Sequence, residues 1–148
     1  MPEKETIERA QEDAREGKAP STQAGEFVRE EMEHIREGKH GARSTKQAIA
    51  IGLSKARRAG VKLAPPKKGR ASARTRKQAA RDYRKGRGQH AKPSATQSRA
   101  VRQALKREPR SAASDQALAK QATQAAHRRS KRARSQQAKR AARTRRGR

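Results

Sequence analysis

Large apolar residues cluster in one short part of the chain, and there they recur at helical spacing. Ala24, Phe27, Val28, Met32 and Ile35 share one side of a helix expected over 22–37, capped by Ser21 or Thr22 and ended by Gly38. Ala48, Ile49, Gly52, Leu53, Ala56 and Ala59 share a face of a second helix, expected over 47–60. Three of these, Ala48, Gly52 and Ala56, are small and stand four apart, so another helix can approach closely. Gly60 is placed to take the left-handed position after that helix, with Val61 packing back on its last turn. Pro65 and Pro66 forbid its continuation. Residues 2–16 favour helix but carry Ile7 as their only large apolar side chain, so a soluble, fraying helix is expected, ended by Gly17 and Pro20.

Beyond Pro66 the pattern fades into Ala, Arg, Lys, Gln and Ser. Candidate helices lie at about 76–85, 95–107 and 115–142, separated by Gly86 and Pro109. Their large apolar residues are Tyr83 in the first, Val101 and Leu105 in the second, and Leu118 in the third. Ala and Arg favour helix, while closely spaced like charges oppose it. These segments are therefore expected to be coil or transient helix in free solution, and more helical on a polyanion.

One heptapeptide is written twice. ARSTKQA stands at 42–48 and ARTRKQA at 73–79, with a shorter echo, ARSQQA, at 133–138. Ser44 to Gln47 reads S-x-x-Q and Thr75 to Gln78 reads T-x-x-Q, the pattern of a capping box. Helix initiation is the preferred reading. A phosphate grip is retained for the first copy only, where GKHGARST leads into a helix N-terminus with Lys39, Arg43 and Lys46 converging.

Charge changes the picture more than any motif. Of 148 residues, 41 are Lys or Arg and 14 are Asp or Glu, for a formal net charge of +27. Residues 1–40 carry net −4, whereas 41–148 carry net +31 with three acids, Asp82, Glu108 and Asp115. Such asymmetry points to a polyanion partner. Fifteen large apolar side chains in the whole chain form at most a small core. The fold class expected is mostly α: a small helix–loop–helix unit with a long, basic, Ala/Lys/Arg-rich tail that is disordered or transiently helical. The small core leaves room for a homodimer through 22–59.

Several chemistries are set aside. The absence of cysteine removes disulfides, thiolate metal sites and thiol nucleophiles. No run approaches a membrane span, and the Glu-rich start reads as no signal peptide, so a cytoplasmic protein is expected. A P-loop signature is missing. His34 and His40, with Glu30, Glu33 and Glu37 nearby, can be drawn as a metal site. But a helix-ending glycine, Gly38, intervenes, and solvated or phosphate-facing histidines with no bound metal are expected. So few apolar residues build no large pocket for an acid–base pair, so no enzyme, cofactor or small-molecule substrate is expected. With Phe27 expected in the core, aromatic base-stacking platforms are missing too.

STKQAIAIGLSKARRAGVKL at 44–63, preceded by EMEHIREGKHGAR, resembles an uncharacterised family of small basic bacterial proteins. That family carries a domain of unknown function built around QAIAIGLSKAR, and the likeness covers roughly 21–68. Some relatives carry DNA-binding or plasmid-stabilisation labels. The resemblance implies a bacterial, cytosolic origin and supplies no catalytic residue.

The expected organisation is an acidic N-terminal helix or arm at 1–20, a helix–loop–helix family core at 21–63 and a basic nucleic-acid-binding tail at 64–148. The expected function is non-enzymatic, largely sequence-independent DNA binding of nucleoid-associated or histone-like type through phosphate neutralisation, with DNA favoured over RNA. Its expected contacts are Lys39, Arg43, Lys46, Lys55, Arg57, Arg58, Lys67, Lys68, Arg70, Arg74, Arg76, Lys77, Arg128, Arg129, Lys131 and Arg132. The alternatives are an RNA- or ribosome-associated factor, and a protein-interaction module localised by its basic tail.

Overall fold

A computed structural model describes residues 2–88 and 94–146, with the side chains of Gln137 and Thr144 excepted. Parts of the expected tail, 89–93 and 147–148, lie outside the described residues. Six α-helices form among those described. They are α1 (Lys4–Arg15), α2 (Pro20–Arg36), α3 (Thr45–Arg58), α4 (Ala73–Lys85), α5 (Ala95–Lys106) and α6 (Asp115–Arg146), with a 3-10 turn at Ser111–Ala113. The chain divides into two compact units, residues 1–113 and 114–148.

In the first unit, α2 and α3 pack along the small-residue face expected from the pattern. Ala48 and Ala56 are fully buried, and a Cβ at Gly52 would overlap the Val28 backbone. Only a glycine allows that separation. Phe27 sits at the centre of an apolar cluster with Ala10, Ala24, Ala56 and Val61, and Ile7, Leu53 and Leu63 pack against it. Thus α1 is part of the core, because Ile7 and Ala10 dock on α2 and Arg9 Nε reaches Glu26 Oε2 at 2.8 Å. Helices α1, α2 and α3 each end in the same hydrogen-bonded glycine motif. At α3 the Val61 N–H donates to Ala56 O at 3.0 Å and the Gly60 N–H to Arg57 O at 3.1 Å, with Gly60 at φ +101°.

The disordered or transiently helical tail is not what forms. Helix α4 packs on α3, with Ala79 and Asp82 buried. Asp82 Oδ2 accepts from Ser54 Oγ at 2.7 Å, and Asp82 Oδ1 accepts from Gln78 Nε2 at 3.2 Å. After α5 the chain returns to the loop between α2 and α3. There Gly41 N–H donates to Leu105 O at 2.8 Å and Ala42 N–H to Pro109 O at 3.0 Å. Thr45 Oγ1 donates to Ala112 O at 2.6 Å and Arg36 Nε to Ala113 O at 3.0 Å. The docking is made through backbone carbonyls, three buried alanines (Ala79, Ala112 and Ala113) and one acid, none of which adds to an apolar stripe. Composition therefore misjudged this part of the chain.

The second unit is α6, a single helix of 32 residues, about 48 Å long at 1.5 Å per residue. Asp115 lies in its first turn and Arg143, Arg145 and Arg146 in its last, each at the end its charge favours in the helix dipole. Ala, Arg, Gln and Lys dominate its sequence, and their intrinsic propensity carries the helix where the expectation gave like-charge repulsion the upper hand.

Candidate nucleic-acid interface

Seven bases and no acid stand between Lys67 and Arg81. Helix α4 begins where Ser72 Oγ accepts the Thr75 N–H at 3.2 Å, three residues before the expected cap. Thr75 instead pairs its hydroxyl with Ser72 at 2.9 Å, and Gln78 turns to Asp82 rather than back to a cap. Because Asp82 and Ala79 bind one face of α4 to α3, the opposite face is left to solvent. Arg74, Lys77 and Arg81, at i, i+3 and i+7, form an exposed stripe there. They line one shallow depression with Ala73 and Gln78, and Lys77 also borders a second one lined by Pro65, Pro66, Ala73 and the half-buried Arg76. Lys67, Lys68 and Arg70 are exposed on the preceding turn.

The remaining expected contacts divide into outward and inward groups. Arg43 is 80% exposed, 3.8 Å from Glu108, and Lys46 is exposed. Lys39 is half-exposed and held between Glu37 at 3.1 Å and Glu3 at 3.3 Å, which raises its pKa. Arg58 is partly exposed, 3.9 Å from Asp82. Arg128, Arg129, Lys131 and Arg132 are exposed on α6.

Lys55 and Arg57, expected on an outer face, turn inward. Lys55 Nζ pairs with Glu31 Oε1, whose side chain is buried. Arg57 is 8% exposed; its Nε donates to Leu63 O at 3.0 Å and its Nη2 to Ala64 O at 3.4 Å. Burial lowers the Arg57 pKa and the nearby Asp82 charge offsets part of that. These two residues brace the fold and offer no charge to a ligand.

The loop expected to grip a phosphate has several of its backbone donors already engaged. The N–H groups of Gly41 and Ala42 bond to the 105–109 segment, that of Arg43 to Gln47 Oε1 at 2.6 Å, and that of Gln47 to Ser44 Oγ at 3.2 Å. The capping device at Ser44 forms, with the glutamine reaching one residue further back than the S-x-x-Q pattern implies. A Cβ at Gly41 would overlap the Glu108 carbonyl, so this glycine admits the returning chain.

A polar cluster lies inside the first unit. Glu30 and Glu31 are buried on α2, His34 follows one turn later, and His40 enters from the loop. Both histidine side chains are only 13% exposed, and the rings meet edge-on with centroids 6.1 Å apart, so they are not the solvated pair expected. His34 Nε2 is 2.9 Å from Glu3 Oε1 and 3.7 Å from Glu30 Oε1, and the Glu3 N–H donates to Glu30 Oε1 at 2.7 Å. Hydrogen bonds from His34 and Lys39 hold the Glu3 carboxyl below its ordinary pKa. One signal was present in the sequence: Phe27, Glu31 and Ile35 stand four apart on one stripe, which puts a carboxylate at a core position. A buried carboxylate there needs a cationic partner, and Lys55 supplies one.

No helix among the described residues is long and apolar enough to cross a membrane. No curated protein and no solved structure matches the chain. Residues 15–68, which run from the end of α1 through α2 and α3 to the Pro65–Pro66 segment and include Glu31, His34, His40 and Lys55, match a family of unknown function, DUF6496.

Proposed function

We propose that this protein is a non-enzymatic, largely sequence-independent DNA-binding protein of nucleoid-associated type, acting by phosphate neutralisation. The observation that carries the reading is the exposed basic surface of α6. Eleven Lys or Arg residues and one acid lie along Asp115–Arg146. At 100° per residue the bases cover roughly two-thirds of its circumference. The remaining arc holds Ala119, Ala126, Ser130 and Ala133. A helix of this length, charged on most sides, suits the B-DNA major groove, where phosphates flank it on both walls. The A-form RNA major groove is too narrow for it, which favours DNA over RNA. In the first unit the Arg74–Lys77–Arg81 stripe and the 67–70 turn supply a second phosphate-facing surface. Nucleoid association follows from this chemistry.

Salt dependence tests the proposal. If about ten bases meet phosphates at once, log K against log salt has a slope near −9 on duplex DNA. Changing Arg128, Arg129, Lys131 and Arg132 together to glutamine should reduce that slope by roughly 3 to 4. A slope shallower than about −3 for the unaltered chain would contradict backbone-led binding. Tighter binding to duplex RNA than to DNA of equal length would favour the RNA-associated alternative.

A further inference from the structure

We propose that Glu31, His34 and His40 form a binding site for one divalent transition-metal ion of the zinc class, independent of the nucleic-acid surface. Glu31 and His34 stand at i and i+3 on α2, so their side chains share a face. The chain reverses at Gly38, at φ +77°, and the Lys39 N–H closes the turn on His34 O at 3.0 Å. That reversal brings His40 back beside the residues it follows. One ligand atom from each of the three lies within 4.8 Å of the other two.

The hydrogen bonds show why a cation is wanted there. His40 Nδ1 is 2.9 Å from Gly41 O, a carbonyl that can only accept, so Nδ1 carries the proton. In a neutral ring Nε2 is then a lone pair, and it faces Glu31 Oε2 at 3.1 Å. A carboxylate oxygen is also an acceptor. Glu31 Oε2 has no hydrogen-bond partner, although the side chain is 1% exposed and its other oxygen is held by Lys55. Two acceptors 3.1 Å apart, one of them buried, need a positive charge beside them, and either a second proton on His40 or a metal ion meets that need.

The surroundings favour the metal. Two imidazoles and one carboxylate are the donor set of many zinc sites, with a fourth position left for water. A backbone carbonyl on the non-ligating nitrogen is the usual support of a metal-bound histidine, and His40 has it. Glu3, 2.9 Å from His34 Nε2, places a carboxylate beside the second ring. Three carboxylates (Glu3, Glu30, Glu31) face two ammonium groups (Lys39, Lys55), so a dication meets local negative charge inside a strongly basic chain.

The test uses the full chain freed of metal by a chelator and titrated with Zn2+ by calorimetry. The expected result is one Zn2+ per chain at micromolar affinity or tighter, a higher Tm, and the visible absorption of a four-coordinate site when Co2+ replaces Zn2+. His40→Gln and His34→Gln should each weaken binding at least about ten-fold. His127→Gln, at an exposed position of α6, should leave it unchanged. Glu31→Gln strips Lys55 of its partner and can unfold the unit, so the histidine variants carry the comparison. Absence of stoichiometric binding to the unaltered chain would overturn the proposal. So would equal losses from His40→Gln and His127→Gln, or an NMR spectrum in which His40 keeps protons on both nitrogens with one equivalent of Zn2+ present.

Discussion

Asp82→Ala asks whether the basic segment after Pro66 is held to the core by one carboxylate. Asp82 is 2% exposed and accepts from Ser54 on α3 and Gln78 on its own helix. Arg58 is 3.9 Å away and Arg57 feels its charge. Removing the carboxylate loses a charge-assisted hydrogen bond across the α3–α4 contact, worth about 1.5–3 kcal/mol. Arg57 also loses its counter-charge, although it keeps the Leu63 and Ala64 carbonyls. Arg58 is 45% exposed and can turn to water, so its share is small. The net cost should be about 2–3 kcal/mol for Asp82→Ala, and about 1 kcal/mol for Asp82→Asn, which keeps an acceptor for Ser54.

The loss should be local before it is global. Native-state hydrogen exchange of the last α4 amides should speed up roughly 30- to 150-fold in Asp82→Ala, the factor matching 2–3 kcal/mol, with α2 amides affected less. A double-mutant cycle with Ser54→Ala should give a coupling of about 1–2 kcal/mol. If Asp82→Ala shifts stability by less than about 0.5 kcal/mol and leaves α4 exchange unchanged, the docking of α4 rests on something other than this carboxylate.

Two further outcomes follow from the same geometry. Ser44→Ala and Ser72→Ala should each cost about 1 kcal/mol in urea denaturation, with Thr75→Ala costing clearly less, since Ser72 holds the cap of α4; a larger effect at Thr75 would return the cap to it. The Glu3 pKa is depressed below 4.5 by His34 and Lys39, so its contribution is complete above that pH and fades as pH falls through the lowered value. The Tm gap between the unaltered chain and Glu3→Gln should therefore close on acidification, and a gap that widens instead would contradict the pairing.

Helix positions were legible because they depend on neighbours in the chain. The spacing of Phe27, Met32 and Ile35, the Ala48–Gly52–Ala56 face and the glycines at 17, 38 and 60 are local signals, and the helices sit where these place them. The exposure of most bases in the 67–81 stretch and along α6 was legible for the same reason, since so small an apolar core has no room for so many charged side chains.

Tertiary structure alone decided which polar residues are internal. Lys55 and Arg57 look like the other bases in the sequence, yet a buried Glu31 and two carbonyls draw them in. Asp82 looks like a stray acid in a basic tail, yet it ties that tail to α3. His34 and His40 stand on either side of a helix end, and the turn at Gly38 is what brings their rings together. Hydrophobic periodicity registers apolar burial. It is blind to docking by carbonyls, alanines and single ion pairs, many of whose partners lie 24 to 77 residues away in the chain. With so few large apolar side chains, such polar contacts close the first unit, so composition alone took a folded chain for a disordered one.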